Sequence, residues 1–121
     1  VALPKLAANM NADDTDALVR QARKASELLK ALSHETRLLI LCILSEGEKS
    51  VSELEAVLSM PQAAVSQQLA RLRIDGLVKA RREGRSIYYS IAGSDVSSVV
   101  ETLYELFCTP VRPGGDTGPS G

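Results

Sequence analysis

Residues 52–91 read SELEAVLSMPQAAVSQQLARLRIDGLVKARREGRSIYYSI, and within this stretch the hydrophobic period changes from that of a helix to that of a strand. Ser52-Glu53-Leu54-Glu55 fits the Ser-x-x-Glu capping box, in which hydroxyl and carboxylate each satisfy a backbone N–H left unpaired at a helix start. A short helix over 52–58 follows. Pro61 suits the first turn of the next helix, where its missing N–H costs nothing, and Gly76 suits its C-terminal stop. Two helices joined by the Ser59-Met60 link make a helix-turn-helix. From Leu77 the period becomes two: residues 77–82 form one strand, Ile87, Tyr89 and Ile91 alternate with Ser86, Tyr88 and Ser90 in a second, and Glu83-Gly84-Arg85 closes the hairpin.

Working outward, residues 15–32 place Leu18, Ala22, Ala25, Leu28, Leu29 and Leu32 at helical spacing, with Asp13, Asp14 and Asp16 near the positive N-terminal end. Ser33 is positioned to cap a second helix with Thr36 at its third position; that helix is apolar nearly all round, ends by Gly47 and belongs at the centre of the core. A last helix over 94–108 carries Val96, Val99, Val100, Leu103, Leu106 and Phe107 on a stripe broader than one small core needs. The first and last helices are therefore expected to bury apolar surface against a second copy. Residues 1–14 read as a flexible N-terminal segment, 15–108 as the folded domain, and 109–121, rich in Pro and Gly, as a disordered tail.

The chain has 121 residues, 45% hydrophobic and 24% charged, which suits one domain. The longest apolar run, residues 38–44, is far short of the roughly 18–20 residues that span a bilayer, and no basic-then-apolar leader is present, so a cytoplasmic, membrane-free protein is expected. One histidine and two cysteines exclude, within one chain, an all-histidine zinc site, a four-cysteine cluster and a zinc protease. His34 sits in the first turn of a core helix, where a structural hydrogen bond is the expected role. With neither a Ser-His-Asp set nor a carboxylate pair to build on, no catalytic residue, cofactor or metal ligand is assigned, and an enzyme is not expected. Cys42 and Cys108, 66 positions apart, are read either as buried hydrophobes or as redox-active thiols.

Charge separates along the chain. Net charge is −1, yet residues 61–90 carry six Lys or Arg against two Asp or Glu, a local +4. A basic patch on an otherwise acidic chain suits a polyanion at one face. The order helix, helix, helix-turn-helix, hairpin, helix is a mainly α fold with a β-hairpin wing (α+β), a dimeric winged helix-turn-helix. With Val65, Leu69 and Leu72 turned inward, Ala63, Gln67, Ala70 and Arg71 face outward and Gln62 and Ser66 lie on the flank. Alanines permit close approach to a DNA groove, glutamine pairs with adenine, and Arg71 reaches phosphate or guanine. Arg81, Arg82 and Arg85 on the hairpin are placed for phosphates or a narrow minor groove.

Ala31-Leu32-Ser33-His34-Glu35-Thr36-Arg37-Leu38, Val65-Ser66-Gln67-Gln68-Leu69 and Leu72-Arg73-Ile74-Asp75-Gly76-Leu77-Val78 together resemble the ArsR-type dimeric winged-helix repressors, over residues 25–108. The resemblance implies a homodimer held by the first and last helices. It also implies binding of double-stranded operator DNA with imperfect two-fold symmetry, and release when an inducer is sensed. Gln62, Ser66 and Gln67 fall where members approach DNA, and Arg82 and Arg85 fall in the wing.

The family's metal-sensing patterns are broken here. Its Glu-Leu-Cys-Val-Cys-Asp-Leu motif meets Glu48-Lys49-Ser50-Val51-Ser52-Glu53-Leu54, with serine at both cysteine positions, and its last-helix Asp-x-His meets Asp95-Val96-Ser97. The remaining pair, Cys42 and Cys108, resembles that of the branch comprising the sulfide-responsive and biofilm-growth-associated repressors. For that branch the resemblance implies persulfide inducers and closure of a di- to tetrasulfide bridge between the two thiols. Tyr104 reads as interface packing. Two alternatives stay open: the same DNA binder responding to general oxidants or a thiophilic metal ion, and a dimeric protein-interaction module without DNA binding.

Overall fold

The computed structural model describes residues 9–109, so the first eight positions and all of the expected 109–121 tail except Thr109 lie outside the described residues. The chain divides into two compact units between Lys30 and Ala31. The first contains most of α1 (Ala12–Leu32), which opens three residues before the sequence suggests. The earlier start comes from a reciprocal cap: the Asp14 N–H donates to Asn11 Oδ1 at 2.8 Å, and the Asn11 N–H donates to Asp14 Oδ2 at 3.3 Å. Leu18, Val19 and Leu29 on this helix are exposed, Leu29 to 61%.

The second unit holds α2 (Glu35–Leu44), β1 (Lys49–Ser50), α3 (Val51–Leu58), α4 (Gln62–Ile74), β2 (Val78–Glu83), β3 (Ser86–Ile91) and α5 (Ser94–Leu103), the last continued by a π-helical turn, Tyr104–Cys108. The core is built as the periodicity implies. Ile40 and Leu41 of α2, Leu54 of α3, Val65, Leu69 and Leu72 of α4 and Val100 of α5 are fully buried. No helix among the described residues is long and apolar enough to cross a membrane.

Local details correct several sequence expectations. The cap of α2 is His34, not Ser33: its Nδ1 accepts the Arg37 N–H at 3.5 Å, which gives the one histidine the structural role expected of it. The capping box of α3 is Ser50–Glu53, not Ser52–Glu55; the Glu53 N–H donates to Ser50 Oγ at 3.1 Å and the Ser50 N–H to Glu53 Oε1 at 2.8 Å. Pro61 occupies the cap position of α4, just outside the helix. Gly76, at φ 77, takes the left-handed conformation that ends α4, as its position suggests.

The hairpin is part of a larger sheet. β2 and β3 pair antiparallel from Val78↔Ile91 to Glu83↔Ser86, leaving Gly84-Arg85 as the turn, and β1 adds to the other edge of β3 through Lys49↔Tyr89 and Ser50↔Tyr88. The sheet order is β1-β3-β2, and the two-residue β1 has no period by which the sequence could reveal it. The helix expected over 94–108 is α-helical only to Leu103. Beyond it the Thr109 N–H donates to the Tyr104 carbonyl, closing the wider π turn that ends on Cys108.

Candidate functional site

The outer side of α4 is set by its inner side. Because Val65, Leu69 and Leu72 are fully buried, the helical repeat turns Gln62, Ala63, Ser66, Gln67, Ala70 and Arg71 to solvent. Two small and four polar side chains thus share one exposed surface. Asp75, the C-cap of α4, stands beside Arg71 Nε at 3.5 Å and Arg37 Nη1 at 3.8 Å, so one carboxylate joins α4 to the first turns of α2. Among the described residues Arg37 Nε is buried without a hydrogen-bond partner, and Asp75 is the carboxylate paired with that guanidinium.

On the wing the three arginines separate into two kinds. Arg82 and Arg85 are exposed and make no ion pair among the described residues. Arg81 is already engaged, contrary to the expectation that it serves phosphates alongside them. Its Nη2 and Nε donate to the two carboxylate oxygens of Glu48 at 2.7 and 2.9 Å, its Nη1 donates to Glu83, and its guanidinium lies 4.9 Å from the Tyr88 ring centre. Two carboxylates neutralise the charge, and Tyr88 fixes the plane of the fork. The Glu48 carboxyl is shifted below its ordinary value, first by its hydrogen bond to Arg81. Sequence reasoning missed Glu48 because its partner lies 33 positions away and only the β1–β3–β2 sheet brings them together.

A second site lies between α2 and the end of the last helix. Cys42 is buried on α2 and Cys108 is half-buried at the end of the π turn; both are free thiols. They share a cavity of about 340 Å³ whose other lining residues are Glu35, Leu38, Leu39, Leu103 and Phe107. Burial, then the hydrogen bond and charge of Cys108, pushes the Cys42 thiol up to about 12. At neutral pH Cys42 is therefore a protonated, poorly nucleophilic thiol lying beside a more open one. Spacing alone gives no sign of the lining residues, since Leu38, Leu103 and Phe107 follow ordinary core periodicity.

Comparison with known proteins places these features in context. The family model described as "Bacterial regulatory protein, arsR family" matches residues 34–80, which run from the α2 cap into β2. The chain is 44% identical over 94 residues to the biofilm growth-associated repressor of Agrobacterium fabrum, covering 78% of this chain and 80% of that protein. It is likewise 44% identical over 89 residues to the transcriptional activator HlyU of Vibrio cholerae, covering 74% and 82%. Among solved structures, the transcriptional repressor BigR of Xylella fastidiosa superposes with a TM-score of 0.75 at 38% identity, covering 81% of this chain and 97% of that one.

Proposed function

Because this chain belongs to the arsR family of bacterial regulatory proteins, we propose that it is a homodimeric repressor that leaves its operator when reactive sulfur bridges Cys42 and Cys108. The family and the relatives are transcriptional regulators, and the chain is a DNA-binding regulator of that kind, not an enzyme. The observation that carries the finer reading is the meeting of the two thiols in one apolar cavity.

The DNA contacts follow from exposure and chemistry. Gln62, Ser66, Gln67 and Arg71 read the major groove of an operator with imperfect two-fold symmetry, while Arg82 and Arg85 hold phosphates or a narrow minor groove. α1 and the last helix pair the two copies, with residues 15–108 as the working domain. The exposed Leu18, Val19, Leu29, Leu106 and Phe107 supply apolar surface for that pairing.

The sensing chemistry uses persulfide as both sulfur donor and oxidant. The Cys108 thiolate attacks the outer sulfur of one persulfide, RSSH, taking that sulfur as Cys108–S–SH and releasing RSH. This hydropersulfide attacks the carbon-bearing sulfur of a second RSSH and expels hydrogen sulfide. Cys42 then attacks the middle sulfur of the resulting trisulfide, its thiol proton passing to the departing sulfur, which leaves as RSH. Two cysteine thiols and two RSSH thus become one trisulfide bridge, two RSH and one hydrogen sulfide; a further sulfur transfer gives the tetrasulfide. The cytoplasm keeps the pair reduced until such a species appears. Bridging lowers operator affinity only insofar as it favours a dimer geometry that fits DNA poorly, and a 100-fold loss corresponds to about 2.7 kcal/mol of coupling.

The test is intact mass spectrometry beside an operator titration, on reduced protein treated with an organic persulfide, a disulfide or hydrogen peroxide. A persulfide-selective gain of about 30 or about 62 Da per chain, meaning one or two sulfurs gained and two hydrogens lost, is expected together with weakened DNA binding. No modification, or modification with unchanged affinity, overturns the reading.

A further inference from the structure

We propose that Tyr104 is a positioning residue for the thiol pair: its hydrogen bond to Glu46 sets the π turn against the end of α2 and holds Cys108 where Cys42 closes on it. The inference rests on the bridging reading above but addresses a different group. Four positions separate Cys42 from Glu46, and four separate Tyr104 from Cys108 across the π turn. The two segments therefore meet twice in opposite order, Cys42 with Cys108 and Glu46 with Tyr104, like two rungs of an antiparallel ladder.

Tyr104 is fixed at both ends. Its Oη donates to Glu46 Oε2 at 2.5 Å, while its carbonyl accepts the Thr109 N–H and, at 3.3 Å, the Thr109 hydroxyl. Cys108 lies inside the loop those last bonds close. Glu46 is also the carboxylate in position to accept the phenol. Glu101 and Glu105 share with it a cavity of about 580 Å³ beside Ser45 and Tyr104, but accept instead from Ser97 Oγ at 3.0 Å and Thr109 Oγ1 at 3.4 Å. A π turn has one residue more per hydrogen-bonded ring than an α-helix, and such turns recur at functional sites. Here the extra residue falls between the phenol rung and the thiol rung, so the phenol sets how far round Cys108 comes.

The consequence is kinetic. Once Cys108 carries a sulfane sulfur or a mixed polysulfide, closure by Cys42 competes with capture by solution thiols, and the contest is decided by how well the two sulfurs are held together. Loss of one hydrogen bond should slow closure about 3- to 10-fold and raise the share of open, singly modified product.

The experiment uses the full chain, reduced, with Tyr104→Phe, Glu46→Ala and Glu46→Gln. Closure is followed by rapid quench and intact mass with an organic persulfide, and in parallel with diamide, an azo compound that takes two electrons and two protons from two thiols to give the plain disulfide. Tyr104→Phe and Glu46→Ala should both close slowly and accumulate open adducts with either reagent. Glu46→Gln keeps an acceptor oxygen and should match wild type, and operator affinity of the reduced proteins should be unchanged. Wild-type rates and product ratios in Tyr104→Phe, or Glu46→Gln behaving like Glu46→Ala, overturn the proposal. If wild type closes with diamide but never with persulfide, the sulfur-sensing reading falls, while slow diamide closure in Tyr104→Phe still supports the positioning role.

Discussion

Replacing Glu48 with alanine should make DNA binding tighter at low salt and more sensitive to salt. In the native arrangement two of the three hydrogen bonds that hold Arg81 end on Glu48, at 2.7 and 2.9 Å. Releasing that fork adds one positive charge to the wing and leaves Glu83 as the one carboxylate on Arg81, so that Nε and Nη2 are open to a phosphate. Each phosphate newly neutralised steepens the slope of log K against log salt by about 0.9. Over a fourfold rise from about 50 to 200 mM, Glu48→Ala should thus lose about 3.5 times more affinity than wild type. Fluorescence anisotropy of reduced protein on a labelled duplex, at four or more salt concentrations, gives the slope directly. The companion variants make the test strict. Arg81→Ala should leave the wild-type slope where it is, because Arg81 is already engaged, yet return the Glu48→Ala slope to the wild-type value. Arg82→Ala should flatten it by about 0.9. A flatter slope for Arg81→Ala in the wild-type background would refute the assignment of Arg81 to the protein rather than to DNA.

Three further outcomes follow. Gln67→Ala should cost about 1–3 kcal/mol of operator discrimination with the dimer intact, read by comparing specific and scrambled duplexes; equal loss on both would move Gln67 out of base reading. Cys42 ionises near 9.0 in an unfolded chain but only near 12 when folded, so its contribution to stability is complete below pH 9 and is lost as pH rises from 9 to 12. Denaturant titrations should show Cys42→Val losing less stability than wild type across that window, by at most about 4 kcal/mol, and iodoacetamide at pH 8 should label Cys108 well before Cys42. Gly76→Ala should destabilise by about 1–2 kcal/mol through backbone strain alone, since φ is 77 and a Cβ there meets nothing within 4 Å; a neutral thermal melt would contradict that account.

Much of the fold is legible in the residues because it is written in local periods. The inward face of α4, the stop at Gly76 and the alternation of β3 all follow from spacing within a few positions. Caps are less determinate. Ser50-Val51-Ser52-Glu53-Leu54-Glu55 offers two overlapping Ser-x-x-Glu frames, and the choice of Ser50 accompanies its pairing with Tyr88, a partner 38 positions later. Likewise Ser33 and His34 are adjacent acceptors, and the ring nitrogen of His34 is the one placed on the Arg37 N–H. What depends on distant partners escapes a local reading altogether: the grip of Glu48 on Arg81, the Glu46–Tyr104 bond and the change from α to π before Cys108. The thiol pair was legible only as a resemblance between sequences. Its apolar cavity and the protonated state of Cys42 come from packing.

Ser50 belongs to two structures at once, as the last rung of β1 on β3 and as the cap of α3. A single residue therefore fastens the hairpin to the start of the helix-turn-helix. β1 meets β3 at Tyr88 and Tyr89, midway along the strand, and leaves the Gly84-Arg85 tip unpaired with it. Lengthening or shortening the hairpin at that tip leaves the helical core and its buried residues untouched. Descendants of such a gene have a way to change the reach of the hairpin without redesigning α4.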